Sequence, residues 1–178
     1  MAKAPKGFES YIRSVRDFPK KGIVFRDITT LLKDGEALRQ VVEKFHQKYK
    51  GMKIDKVVGV ESRGFIIGSA LAVKLGTGFV PIRKRGKLPA ETMRQEYALE
   101  YGTDVMEIHK DAISAGERVL LHDDLIATGG TISAACKLVE QLGGKIAGLC
   151  FLVELNFLKG RGRLSGYDVF SLVQYETE

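Results

Sequence analysis

The sequence predicts an α/β fold on a central, mostly parallel sheet of about five strands flanked by helices. Three observations carry that prediction. Short apolar runs alternate with helical patterns: Lys56–Val60 precedes a helix over Phe65–Leu75, and Val119–Leu121 precedes one whose face is Ile132, Ala135, Cys136, Val139 and Leu142. Phe79–Ile82, Lys145–Leu155 and Val169–Val173 add further strands. The runs are continuously apolar, as strands covered on both faces are. Polar or glycine-rich loops follow them, at the strand ends where ligands of open α/β sheets bind.

The chain's 178 residues suit one domain spanning 1–178, and 44% hydrophobic with 28% charged residues is ordinary for a soluble globular protein. A net charge of +6 suits a polyanionic partner, either nucleic acid or a substrate carrying several phosphates. No leader pattern or membrane-length apolar run is visible, so no membrane contact is expected and the default location is cytoplasmic. Cys136 and Cys150 form no ligand pattern and are expected as buried free thiols.

In chain order, Phe8, Tyr11, Ile12 and Val15 recur at helical spacing and predict an N-terminal amphipathic helix. Phe18–Thr30 reads as an irregular segment packed over something. Asp34 caps a helix running to about Lys50, with Leu38, Val41, Val42, Phe45 and Tyr49 as its inner face and His46 in solvent. Gly76 ends the next helix. The basic cluster Arg83-Lys84-Arg85-Gly86-Lys87 follows a strand end. Leu88 to about Glu96 reads as a mobile loop, and Tyr97–Tyr101 and Asp104–His109 read as a hairpin turning at Gly102-Thr103. Walker and Rossmann glycine patterns are lacking.

The chemistry concentrates in Val119–Thr131, V-L-L-H-D-D-L-I-A-T-G-G-T. Glycines let successive N–H groups curl round an anion, and the helix that follows adds free N–H groups and its positive dipole end. Ala127, Thr128, Gly129, Gly130 and Thr131 therefore form a phosphate cradle. A carboxylate beside such a site repels phosphate, so Asp123 and Asp124 need another role: the adjacent hydroxyls of a ribose, or a metal. His122 stands out as a polar residue inside the apolar run.

This stretch resembles the 5-phosphoribosyl diphosphate (PRPP) signature of type I phosphoribosyltransferases, with His122 where the signature has an aliphatic residue. F-R-D-I-T at 25–29, E-S-R-G-F at 61–65, I-R-K-R-G-K-L-P at 82–89, L-E-Y-G at 99–102 and S-L-V-Q-Y-E near the C-terminus are similar, in order, to the adenine phosphoribosyltransferase family. The resemblance implies the type I phosphoribosyltransferase fold, with a hood at about 1–33 and a flexible catalytic loop and hairpin at about 87–108. It implies purine salvage: adenine and PRPP give AMP and pyrophosphate, with Mg2+ chelated by the substrate and Asp123 and Asp124 as candidate metal contacts.

By the same resemblance, residues 127–131 hold the 5′-phosphate and Asp123 and Asp124 the ribose hydroxyls. Glu61, Ser62 and Arg63 match the pyrophosphate loop, which in this family sometimes carries a cis non-proline peptide, and Arg63 could serve pyrophosphate or base. Arg83, Lys84 and Lys87 match residues approaching pyrophosphate, Arg83 in a neighbouring subunit's site, which implies a homodimer. Val24, Phe25 and Arg26 match the adenine hood, and Glu100 the purine N7 contact and proton transfer. Two other readings stand beside this one: a PRPP-sensing regulator that binds nucleic acid, and a transferase for another purine or for orotate. Against the regulator, the chain lacks a helix-turn-helix extension and an aromatic RNA-binding signature.

Overall fold

The computed structural model describes residues 7–98 and 103–178. A 3₁₀ turn at Phe8–Tyr11 leads into β1 (Arg13–Arg16), which pairs antiparallel with β2 (Val24–Asp27). Then come α1 (Thr29–Leu32), α2 (Gly35–Tyr49), β3 (Lys56–Val60), α3 (Gly64–Leu75) and β4 (Gly78–Lys84). β5 (Thr92–Ala98), β6 (Thr103–His109), β7 (Arg118–Ile126), α4 (Gly130–Gln141), β8 (Lys145–Leu155) and β9 (Val169–Tyr175) complete the order.

Seven of these strands form one sheet in the order β5-β6-β4-β3-β7-β8-β9. From β4 to β9 all neighbours are parallel, so the five expected core strands are present. The expected hairpin, β5 and β6, extends the sheet antiparallel beyond β4. No helix among the described residues is long and apolar enough to cross a membrane.

Alternate residues of each core strand enter two cores. Val58, Leu121 and Leu149 pack with Ile132, Ala135, Leu138 and Val139 of α4. Val57, Leu120, Cys150 and Leu152 pack with Val41, Phe45 and Tyr49 of α2 and Ile67 and Leu71 of α3. Burial on both faces is why the sequence runs read as solidly apolar. Cys136 and Cys150 are buried and unpaired, as expected.

Four local expectations are corrected. The N-terminal segment makes one 3₁₀ turn and then a strand, because Val15 and Arg16 pair with Phe25 and Val24, and that pairing overrides the helical spacing. The partner strand β2 lies in the stretch read as irregular. Residues 92–96 are strand, not loop, since they pair residue by residue with 105–109; Tyr97 and Ala98 are strand as expected, and the rest of that expected strand, 99–101, lies outside the described residues. His46 is half-buried beside Glu43 rather than solvated.

Helix ends follow the sequence closely. The Asp34 carboxylate accepts from Glu36 N at 3.1 Å and Ala37 N at 2.9 Å, while Gly76 ends α3 at φ 70°. Asp34→Ala leaves those two N–H groups uncapped and is expected to lower unfolding free energy by about 1 kcal/mol. Equilibrium denaturation with an unchanged m-value checks this.

Candidate active site

The carboxyl ends of β3 and β7, adjacent and parallel, set the site. After β3 come Glu61, Ser62 and Arg63; β7 itself carries Asp123 and Asp124 and runs to Ile126. Together with Tyr97 of β5 and residues 125–132 they line a cavity of about 260 Å³. The peptide between Glu61 and Ser62 is cis.

The glycine-rich turn is backbone-shaped. Gly129 caps α4 at φ 79°, a conformation that suits glycine, and Ser133 N donates to Gly129 O at 3.0 Å. The first-turn N–H groups of α4 at Gly130 and Thr131 have no intrahelical acceptor and lie in the cavity lining. The positive end of the α4 dipole therefore faces the cavity, which makes an anion seat.

Two carboxylates sit against this seat. Asp124 is buried, and Arg63 Nε stands 3.0 Å from Asp124 Oδ2. That oxygen has no hydrogen-bond partner among the described residues. Asp123 Oδ1 accepts from Asp124 N at 2.9 Å. Burial and then the neighbouring Asp124 charge push the Asp123 carboxyl well above the usual carboxylate range. Burial raises Asp124 as well, against the pull of Arg63. A β-carbon on Gly64 would lie 3.0 Å from Asp123 Oδ1, so α3 abuts the pair closely.

Glu61 turns to the basic cluster. Its carboxylate accepts from Arg83 Nε at 3.1 Å and Lys84 N at 2.8 Å. Burial alone would raise its pKa, but Arg83 and the Lys84 N–H outweigh that and hold it low. Lys84 Nζ pairs with Asp104 at 3.1 Å, and Asp104 accepts from the Tyr97 hydroxyl at 3.3 Å. Burial, first, and Asp104 push Tyr97 up to about 12, so it stays protonated at neutral pH. Arg83, Lys84 and the exposed Lys87 border the cavity's neighbourhood without lining it.

The β1–β2 ribbon brings its aromatic residue to the same place. The Arg63 guanidinium lies 5.1 Å from the centre of the Phe25 ring, and Phe18 meets that ring edge-on at 5.2 Å. Arg26 points elsewhere: it stacks 3.8 Å over Tyr175 and donates to Ser14 Oγ at 2.5 Å. Asp27 fastens the ribbon by accepting from Thr29 N at 2.9 Å and Arg13 Nε at 3.0 Å.

Most of the predicted residues come together here. Glu100 lies outside the described residues. Tyr97 is a lining residue that sequence reasoning missed, and a tyrosine in a strand carries no signal of its own. His122 is fully buried between Phe45 and Gly68, its Nδ1 3.0 Å from Cys150 O. Burial lowers its pKa to about 4, so it is a neutral core residue behind the acids. Among the described residues no three His, Cys, Asp or Glu side chains cluster as a metal cage. One or two carboxylates with an unpartnered oxygen do fit Mg2+ whose other ligands come from a substrate, as that ion commonly binds.

A parallel sheet that sets a glycine-rich turn at a helix N-terminus beside an acid pair near the carboxyl end of β7 suits a ligand carrying both a phosphate and neighbouring hydroxyls. The phosphoribosyl transferase domain family matches residues 27–176. An adenine phosphoribosyltransferase of Clostridium perfringens is 60% identical over 93% of this chain and 96% of its own length. The structure superposes on adenine phosphoribosyltransferase from Thermoanaerobacter pseudethanolicus with a TM-score of 0.92 and 54% identity, covering 94% of this chain and 98% of that one. The Saccharomyces cerevisiae enzyme, solved with an imino-altritol bisphosphate and adenine, gives 0.88 and 43%, covering 93% and 96%. The chain therefore belongs to the phosphoribosyltransferases and, within them, to the adenine phosphoribosyltransferase family.

Asp27 offers a pH test of the ribbon. Hydrogen bonds from Thr29 and Arg13 lower its carboxyl from 3.8 to about 2. The folded state then holds fewer protons than the unfolded one between those values. Its contribution is present above about pH 4 and is lost as pH falls through about 2. Asp27→Asn should be less stable than wild type near neutrality, with the gap closing on acidification, read from denaturation midpoints across pH.

Proposed function

We propose that this chain transfers the 5-phosphoribosyl group from PRPP to adenine, giving AMP and pyrophosphate, within the single domain formed by residues 1–178. The observation that carries the reading is the amide cradle at 127–131 beside a buried acid pair and its arginine. The cradle holds the 5′-phosphate. Asp123 and Asp124 accept from the ribose 2′- and 3′-hydroxyls, and the Asp124 Oδ2, ion-paired with Arg63 but without a hydrogen bond among the described residues, supports that role. A hydroxyl donor suits a carboxylate pair better than another anion would.

The diphosphate lies over Ser62 and Arg63 with Lys84 and Lys87 nearby, while Glu61 holds Arg83 and the Lys84 N–H. Mg2+, when bound through the diphosphate, neutralises charge developing on the leaving group. Its ligands would be the substrate's own oxygens, with direct contact to Asp123 and Asp124 as the alternative to their holding the ribose hydroxyls. As the ribose C1–O bond to the diphosphate breaks and adenine N9 enters to form the glycosidic bond, positive charge grows on the ribose, and the acid pair stabilises it electrostatically. Arg63, between Asp124 and Phe25, bridges the sugar and base ends of the site.

Adenine packs on Phe25 under the hood, with backbone groups of Val24 and Arg26 reading its edge. A carbonyl facing the 6-amino group accepts a hydrogen bond, whereas a 6-oxo purine would set oxygen against oxygen. Such a mismatch discriminates by about 10⁴-fold or more. Glu100 holds N7 and handles the purine proton. The 87–108 segment excludes water from the activated ribose. Homodimerisation belongs to the same reading: α3 exposes Ile66 and Val73, the latter 82% exposed, and Arg83 approaches the partner's site.

Two measurements test it. Product formation from adenine, hypoxanthine, guanine and orotate with PRPP and Mg2+ should give AMP and little else. Equal turnover of a 6-oxo purine would overturn the base assignment. Glu100→Ala should lower kcat by about 10²–10⁴ while PRPP binding survives, and wild-type turnover would remove Glu100 from the mechanism.

A further inference from the structure

We propose that Gly160 is a positioning residue: it opens a turn whose backbone supports the 5′-phosphate loop from behind. The inference rests on the reading of residues 127–131 as that loop. Gly160 is buried, and a β-carbon built on it would fall 2.1 Å from Ala127 O and 2.9 Å from Gly129 N. The contact is reciprocal, since a β-carbon on Gly129 would fall 2.5 Å from Gly160 O. Two backbones meet here with no room for a side chain between them. Gly160 is required for that close approach, whereas Gly129 also needs its positive φ.

The supporting turn is itself fastened. Arg161 Nε donates to Glu154 Oε1 at 2.9 Å and Arg161 Nη1 to Val169 O at 2.9 Å. Ser171 Oγ donates to the second oxygen of Glu154 at 2.5 Å. Glu154 lies in register with Ile126, the residue immediately before the loop. Leu164, at the far end of the turn, packs in the same core as Ile132 of α4. The loop is thus fixed on its strand side by Glu154, on its helix side by Leu164, and at its middle by Gly160. That matters because an amide cradle binds through N–H groups already aimed at the phosphate.

A methyl group at residue 160 must drive the Ala127 carbonyl back by about 1 Å, and displacements of that size in a positioned site weaken function by about tenfold to a hundredfold. Gly162 supplies a control in the same turn, with open space around its β-carbon position and no positive φ. Calorimetric titration with AMP and with adenosine isolates the phosphate, the one group that differs. Wild type should bind AMP tighter than adenosine. Gly160→Ala should lose about tenfold or more in AMP affinity with adenosine within about twofold, and Gly162→Ala should bind both as wild type does. Arg161→Gln, which loosens the turn without adding bulk, should shift AMP in the same direction, and it decides the matter if Gly160→Ala does not fold.

Wild-type AMP affinity in Gly160→Ala, or in Arg161→Gln where only that variant folds, overturns the inference. So does equal loss of both ligands, or a Gly162→Ala variant as impaired as Gly160→Ala. A wild type that fails to prefer AMP overturns the phosphate reading itself, and this inference with it.

Discussion

Two carboxylates, Asp124 buried and Asp123 partly so, and one guanidinium share a corner at the end of β7, and the site is arranged around that imbalance. Asp123 and Asp124 are adjacent in sequence and face a single close cation, Arg63. Burial raises both above ordinary carboxylates, and the Asp124 charge raises Asp123 further. Such a pair is expensive to keep unless something completes it. A ligand with two neighbouring hydroxyls, or a cation carried on a substrate, would do so. The amide cradle beside it attracts the opposite sign of charge, so a sugar phosphate satisfies both halves of the site at once.

The scaffold delivers these groups through repeated use of one unit. β3 and β7 each run into a polar turn and then a helix, and the two turns meet because the strands are neighbours. The β1–β2 ribbon then adds Phe25 over Arg63, while Arg26 stacks on Tyr175 and ties the ribbon to the C-terminal strand. On the other side, β5 sets Tyr97 into the cavity and the Tyr97–Asp104–Lys84 chain links the hairpin to the basic cluster. Residues from the N-terminal ribbon and from three separate stretches of the middle of the sequence thus converge on one site.

Much of this was legible in the sequence, for physical reasons. The apolar runs gave the five parallel strands because double-sided burial leaves a plain mark. The acid pair and A-T-G-G-T gave the cradle because few other structures need that order. Where pairing partners are distant in sequence, local pattern misled: Val15 and Arg16 are strand because of Phe25 and Val24, and residues 92–96 because of β6. Tyr97 and Gly160 left no trace, since their importance lies in what they touch. His122 reads as an anomaly in an apolar run and turns out neutral and buried, its ring packed against Phe45.

The central claim is that the N–H groups at the start of α4 grip a sugar's terminal phosphate. Titrating ribose 5-phosphate into the ¹⁵N-labelled protein tests it most directly. The account predicts that the amides of Thr128, Gly129, Gly130 and Thr131 shift together and saturate, with Asp123 and Asp124 following. Binding that leaves those four amides unmoved while others respond would contradict it.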